Sequence, residues 1–323
     1  MARVLVTRHL PPGGLDPLHE AGHEVVQHPE DIAFTTDELK KAVADVDGVV
    51  CLLTDLIDAP VVAAAVTLKV IANVAVGYNN IDVAACEAAG ITVCNTPGVL
   101  DETTADLAFA LMLAASRLLS GAERDLRNGR WSGWGISQYL GMDVYGARLG
   151  LVGYGRIGRA VARRADGFGM QVHHYTRRPT GEPGYVADLD ALLADSDIVS
   201  LHVPLTDETL HLLDARRIAL FKPTAVLVNT ARGPVVDEHA LALALEEGRL
   251  FAAGLDVYER EPEIHPRLLS APRTVLLPHI GSATVATRTR MARLASTAVV
   301  DVLAGRIPPN LVRPAREALD SNG

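Results

Sequence analysis

Short apolar runs recur along the chain, and the stretches between them carry apolar residues at helical spacing. Runs at 4–6, 48–53, 70–74 and 91–94 predict a first set of strands. Runs at 149–152, 171–176, 198–203, 225–229, 253–257 and 275–277 predict a second set. Strand and helix alternate throughout, which is the pattern of α/β domains. The six strands of the second set, separated by helices, fit one Rossmann domain. Between the sets, residues 104–119 carry Leu107, Phe109, Leu111, Met112 and Leu113. Apolar residues occur all around that helix, so it is expected to be buried on most sides, as a helix between two domains would be.

The last long helix, at 284–303, repeats Met291, Leu294, Ala298 and Val302 at spacing three or four. One apolar face packs it back onto the protein, and the chain then ends soon after Ile307-Pro308-Pro309-Asn310. The C-terminus is therefore expected to return to the first domain. The fold class is α/β with two Rossmann-like domains. A flavodoxin-like substrate domain, 1–98 and 288–323, is interrupted by a dinucleotide-binding domain, 99–287. The segment 130–145 holds both tryptophans and several glycines and is expected to be an exposed loop or arm.

A chain of 323 residues accommodates two domains of ordinary size, and 49% hydrophobic residues supply their cores. The net charge of −9 and pI near 5.6 argue against nucleic-acid or anionic-membrane partners. An acidic protein that takes an anionic substrate has to supply positive charge locally. Cys51, Cys86 and Cys94 show no metal spacing, so no metal site is expected and buried thiols in a reducing compartment are. The N-terminus enters a strand at once without the apolar segment of a signal peptide, and the longest apolar stretch is too short to span a bilayer. A cytoplasmic protein is the expectation.

Gly153-Tyr154-Gly155-Arg156-Ile157-Gly158 follows a predicted strand and opens a predicted helix, the context a dinucleotide fingerprint requires. Gly153 permits the tight turn, Gly155 admits the pyrophosphate and Gly158 lets helix and strand pack closely. The helix N-terminus then faces the phosphates. An NAD site usually has an acid about 20 residues further on, bonded to the ribose 2′-hydroxyl. Here the second strand ends in Thr176-Arg177-Arg178. No carboxylate repels a 2′-phosphate, and two guanidiniums can bind it. NADP is the preferred cofactor on this reading, with NAD as the other dinucleotide the fingerprint accepts.

Three polar residues follow strand-like runs downstream: Arg232, Glu261 and His279. Strands of an open parallel sheet end on one edge, where ligands bind. The planar fork of Arg232 suits a carboxylate. His279 can give a proton to a carbonyl oxygen as hydride arrives from the cofactor, and a glutamate beside it would stabilise the imidazolium. Together they would reduce a 2-oxo acid. Glu259 and Glu263 flank Glu261, so spacing leaves the identity of that glutamate open.

Asn229-Thr230-Ala231-Arg232-Gly233-Pro234, Gly254-Leu255-Asp256-Val257-Tyr258-Glu259-Arg260-Glu261-Pro262 and Leu277-Pro278-His279-Ile280-Gly281-Ser282 resemble the D-isomer-specific 2-hydroxyacid dehydrogenases. The resemblance covers nearly the whole chain. Cys51-Leu52-Leu53-Thr54-Asp55, Asn95-Thr96-Pro97-Gly98 and Trp131-Ser132-Gly133-Trp134 are most similar to the glyoxylate/hydroxypyruvate reductases of that family. It implies that Arg232 binds substrate, that Glu261 is the supporting acid and that His279 is the proton donor. It implies that Asp256 bonds the nicotinamide amide, that Thr104 lies near the nicotinamide, and that Val203 and Pro204 lie near the adenosine. Thr230, Ala231, His279 and Gly281 join the implied cofactor contacts. Leu53, Val76 and Gly77 are implied to line the substrate pocket. Members are typically homodimers joined through their cofactor domains, and in the similar reductases a partner's tryptophan reaches the active site; Trp134 is similar to that residue, with Trp131 the competing candidate. The alternatives are a dehydrogenase for another acid, such as 3-phosphoglycerate, and a nucleotide-sensing protein like the C-terminal-binding corepressors.

If the missing acid sets cofactor choice, Thr176→Asp shifts the kcat/KM ratio toward NADH. One lost charge-assisted hydrogen bond of about 1.5–3 kcal/mol corresponds to about ten- to a hundredfold in that ratio. Steady-state kinetics with both cofactors checks it.

Overall fold

The computed structural model describes residues 1–312. The chain divides into two compact units, Met1–Leu100 joined by the chain from Ser282 onward, and Asp101–Gly281. The crossings fall at residues 100/101 and 281/282, a few residues from the expected 98/99 and 287/288. Residues 313–323, assigned above to the first domain, lie outside the described residues.

The first unit runs β1 (Arg3–Val6), α1 (Asp16–Glu20), β2 (Glu24–Gln27), α2 (Thr36–Ala42), β3 (Gly48–Cys51), α3 (Ala59–Ala64), β4 (Val70–Asn73), α4 (Val83–Ala88) and β5 (Thr92–Cys94). All strands pair in parallel, in the order β2-β1-β3-β4-β5, which is the flavodoxin-like order. β3 and β4 are buried along their whole length. A parallel sheet is covered on both faces, so its inner strands are apolar runs. β2 was not expected from the sequence. Glu24-Val-Val-Gln offers only two apolar residues because it is a half-exposed edge strand.

The second unit runs α5 (Asp101–Ser116), α6 (Leu119–Arg127), β6 (Arg148–Val152), α7 (Arg156–Asp166), β7 (Gln171–Tyr175), α8 (Leu189–Asp195), β8 (Ile198–Leu201), α9 (Ala215–Ile218), β9 (Val226–Asn229), a 3-10 turn (Gly233–Val235), α10 (Glu238–Glu246), β10 (Ala252–Leu255), α11 (Pro266–Ser270) and β11 (Thr274–Leu276). Its six parallel strands lie in the order β11-β10-β9-β8-β6-β7. Beyond β7, Tyr185 makes a single parallel bridge to His174. With that rudimentary strand counted as third, the order is the Rossmann order of 3-2-1 followed by the later strands. The strand order reverses between β6 and β8, and their carboxyl ends carry Gly153 and His202. Aspartates 58, 82, 188, 214 and 237 cap five helices by accepting a first-turn N–H, which is why so many loops of both units end in Asp.

α5 is a helix of the second unit. It packs on β9, β10, β11 and α7, and Gly254 of β10 admits the Leu111 backbone against the sheet. Only Glu102, Asp106 and Ala110, one stripe at spacing four, are exposed. α12 (Val285–Leu303) returns to the first unit and packs on α1, β3, β4 and β5. The chain then bridges Leu311 to Cys94, so the described part of the tail lies on the first sheet as expected. The segment 130–145 forms no helix or strand. No single helix among the described residues is long and apolar enough to cross a membrane.

Leu151 in the middle of β6 is fully buried among Ala160, Val161, Leu149 and their neighbours. Truncation to alanine is expected to destabilise the second unit by about 2–5 kcal/mol, read as a lower urea midpoint at constant slope.

Candidate active site

The fingerprint folds as its glycines require. Gly153 ends β6 with φ 97, and a Cβ there would lie 2.5 Å from the His202 carbonyl oxygen and 3.0 Å from Val203. A Cβ on Gly158 would lie 2.4 Å from the Gly153 carbonyl oxygen. Gly155 faces open space at the N-cap of α7. Gly155 and Arg156 are exposed and Ile157 is half-buried, so the amino end of this helix is accessible to a pyrophosphate. These residues fit a dinucleotide. Desolvation pushes the imidazole of His202 down to about 4, so it is neutral beside the turn.

Tyr154 stacks on the buried His174 with centroids 3.8 Å apart, and Arg159 lies 4.7 Å above the Tyr154 ring. At the end of β7, Thr176 Oγ1 donates to the Arg178 carbonyl at 2.6 Å. Arg177 and Arg178 are exposed, and Arg177 comes within 3.8 Å of Glu208. Pro204 follows β8 on the surface, its carbonyl taken by Thr209 Oγ1 at 2.7 Å.

The chemistry gathers where β9, β10 and β11 end. After β9, Asn229 folds its own loop: its Oδ1 accepts the Ala231 N–H at 3.0 Å and its Nδ2 donates to the Arg232 carbonyl at 3.0 Å. Arg232 is half-buried, and its Nη1 donates to the Ala231 carbonyl at 2.7 Å. Desolvation lowers the Arg232 pKa from its ordinary value, and the Glu261 charge opposes the shift. An arginine so placed remains a cation. Thr230 is nearly buried, and its Oγ1 has no hydrogen-bond partner among the described residues.

Of the three glutamates near residue 260, Glu261 meets the histidine. His279 Nδ1 lies 2.7 Å from Glu261 Oε2, while Glu261 Oε1 accepts the Tyr258 N–H at 3.0 Å. Burial pushes the Glu261 carboxyl up. The hydrogen bond and charge of His279, the Tyr258 N–H and Arg232 outweigh it, and the net shift is downward. Glu261 is therefore an anion at neutral pH. A depressed carboxyl contributes stability above its unfolded value of 4.5 and loses it as pH falls through the lower folded value. With Nδ1 engaged by Glu261, Nε2 is the nitrogen left to serve a substrate oxygen. Glu259 instead accepts the Glu238 N–H, and Glu263 pairs with Arg260 through the backbone.

His279 has φ 54, a left-handed conformation uncommon outside glycine. Asp256 holds it there. Its carbonyl accepts the His279 N–H at 2.9 Å, and its two carboxylate oxygens accept the N–H groups of Ile280 and Gly281, each at 2.7 Å. Burial raises the Asp256 pKa, against the Ile280 N–H, the His279 charge and the Gly281 N–H. A Cβ on Gly281 would lie 3.2 Å from Asp256 Oδ2 and 3.7 Å from Thr104 Oγ1, so Thr104, Asp256 and Gly281 meet at one point.

Leu53, Val76 and Gly77 belong to the first unit. Leu53 is 37% exposed and so is not core packing. The carbonyls of Ala75, Val76 and Gly77 are captured by Thr96 N, Asn95 Nδ2 and Asn73 Nδ2 at 2.8, 2.8 and 2.9 Å. Trp134 is 80% exposed and Trp131 49%, both in the arm. Asn229 and Tyr258 escaped the sequence reading. Both stand in the motifs that carry the resemblance, but nothing there pointed to what either side chain holds.

The family model for the D-isomer specific 2-hydroxyacid dehydrogenase, NAD binding domain, matches residues 109–281. The chain belongs to this family. It is 46% identical to a glyoxylate reductase of Thermococcus onnurineus over 98% of this chain and 97% of the relative. It is 48% identical to a glyoxylate reductase of Korarchaeum cryptofilum over 96% and 95%. Among solved structures, a protein of Thermus thermophilus superposes with TM-score 0.92 at 47% identity, covering 96% of this chain and all of the other. An NADPH-dependent glyoxylate/hydroxypyruvate reductase of Sinorhizobium meliloti, in complex with NADP and malonate, gives 0.86 at 36% identity, covering 96% of each chain. This family member is an NAD(P)-dependent oxidoreductase acting on the CH–OH group of donors.

A proton donor at His279 predicts that His279→Ala lowers kcat by about 10²–10⁴-fold, the usual share of general acid catalysis. Steady-state kinetics with glyoxylate checks it.

Proposed function

We propose that the protein reduces glyoxylate and hydroxypyruvate to their 2-hydroxy acids and prefers NADPH. The observation that carries the reading is the 2.7 Å contact of His279 with Glu261, at the same sheet edge as Arg232. The names of the relatives support the substrate class. The bound dinucleotide supplies the hydride. Arg232 binds the substrate carboxylate bidentately and polarises the adjacent carbonyl. His279 gives its Nε2 proton to the carbonyl oxygen as the alcohol forms, and the Glu261 anion stabilises the imidazolium that stands ready to do so. Asp256 and Thr104 contact the nicotinamide end. Gly153, Tyr154, Gly155, Arg156, Ile157 and Gly158 cradle the pyrophosphate. Val203 and Pro204 flank the adenosine, with Thr230, Ala231 and Gly281 completing the cofactor site. Leu53, Val76 and Gly77 shape the substrate pocket.

The NADPH preference rests on Thr176, Arg177 and Arg178. These end β7 with no acid among them, and both arginines are exposed to a 2′-phosphate. The assembly in this reading is a homodimer in the cytoplasm, with Trp134 of each protomer reaching its partner's site. The exposed apolar side chains of the arm, Trp131, Trp134, Ile136 and Leu140, support such a contact.

The test is kcat/KM for NADPH and NADH, each at saturating glyoxylate. A preference for NADPH of about tenfold or more is expected from one charge-assisted contact. Comparable use of NADH makes the arginines ordinary surface charges. No turnover of any small 2-oxo acid overturns the reductase reading.

A further inference from the structure

We propose that Glu238 and Glu259, outside the triad, form a clasp that positions Glu261 and through it His279; this rests on the triad reading above. Glu238 is the first residue of α10 and is 5% exposed. A carboxylate so buried needs strong partners. Its Oε1 accepts the N–H of Glu259 at 2.5 Å, and its Oε2 accepts the N–H of His265 at 3.2 Å. One side chain thus brackets residues 259–265, with Glu261 between the two anchor points. Glu259 answers in kind, its Oε1 accepting the Glu238 N–H at 2.7 Å.

The same Glu259 oxygen lies 3.3 Å from His211 Nε2. The His211 backbone N–H donates to the Pro234 carbonyl at 2.7 Å, in the turn that follows Arg232. His239 lies edge-on against His265 at 5.4 Å, and Arg260 and Glu263 are the other charged residues of the bracketed segment. Gly233 fits against the Tyr258 carbonyl so closely that a Cβ there would lie 1.9 Å from its oxygen. The segment carrying Glu261 is thereby fixed to α10 and to the Arg232 turn. Neither glutamate reaches His279 by any of these bonds. Both act on the backbone that aims Glu261, and a misplacement of about 1 Å at such a site costs on the order of a hundredfold in rate.

The clasp makes an unequal demand on its two members. Glu238 uses both oxygens as acceptors, so Glu238→Gln turns an amide NH2 toward one backbone N–H. Glu259 uses one oxygen, so Glu259→Gln keeps the acceptor and Glu259→Ala removes it. The experiment is a side-chain NMR titration of His279, its signal assigned by loss in His279→Gln, beside the pH profile of kcat/KM. In Glu238→Gln and Glu259→Ala, His279 is expected to release its proton at lower pH than in the wild type, as in Glu261→Gln. The alkaline limb of the profile moves with it. The rate at neutral pH falls about tenfold or more, and Glu259→Gln rescues both readouts.

Folded Glu238→Gln and Glu259→Ala proteins with the wild-type His279 titration overturn the clasp. So does Glu259→Gln behaving like Glu259→Ala, which would make charge rather than hydrogen bonding the operative property. Should Glu238→Gln not fold, the pair at 259 carries the test alone. Because the NMR titration needs no substrate, it reads the clasp even if wild-type protein fails to reduce glyoxylate, an outcome that overturns the substrate assignment instead.

Discussion

The edge of the second sheet that carries Arg232, Glu261 and His279 depends on one buried carboxylate. Asp256, 1% exposed, commits both oxygens to the backbone that follows β11. The left-handed conformation at His279 costs about 1–2 kcal/mol in a residue with a Cβ. Hydrogen bonds to a charged acceptor contribute about 1.5–3 kcal/mol each, and Asp256 accepts two of them as well as one at its carbonyl. The turn is therefore held, and with it the direction of the imidazole. Removing the carboxylate would leave two N–H groups to find other partners and the histidine free to relax toward ordinary backbone geometry.

The rest of the site is built by short reach rather than by long side chains. Asn229 folds the Arg232 turn onto itself through two bonds to its own loop. The absence of a side chain at Gly233 lets that turn touch the backbone of Tyr258. Tyr258 then serves three neighbours: its N–H donates to Glu261, and its hydroxyl donates to the Leu277 carbonyl at 2.9 Å and more weakly to that of Leu255. Strand ends that lie side by side because the sheet is parallel are in this way locked to one another across the edge.

Much of this was legible in the sequence, for physical reasons. Inner strands of a covered parallel sheet are unbroken apolar runs, and eight of the ten expected runs lie in or beside strands whose residues are mostly buried, while the other two, β7 and β11, are partly exposed. β2 was missed because an edge strand needs few apolar residues. The helix 101–116 was legible as buried, but its partner was not, since apolarity says that a face is covered and not by what. Arg232 and His279 stood out beside strand ends. The choice among three glutamates did not follow from spacing, because it is settled by which carboxylate the backbone turns toward Nδ1. Glu238 carried no signal at all: a helix-capping position rich in acids hides a buried acceptor.

The two tryptophans of the chain are both exposed in the arm, and neither is in a core. Their emission therefore reports on the arm and on whatever it docks against, and is nearly blind to the packing of the sheets. A melt followed by indole fluorescence would track the solvent around residues 131 and 134, while the collapse of both hydrophobic cores passed unseen. Far-ultraviolet circular dichroism would register that collapse, and a separation between the two signals would time the arm against the body of the protein.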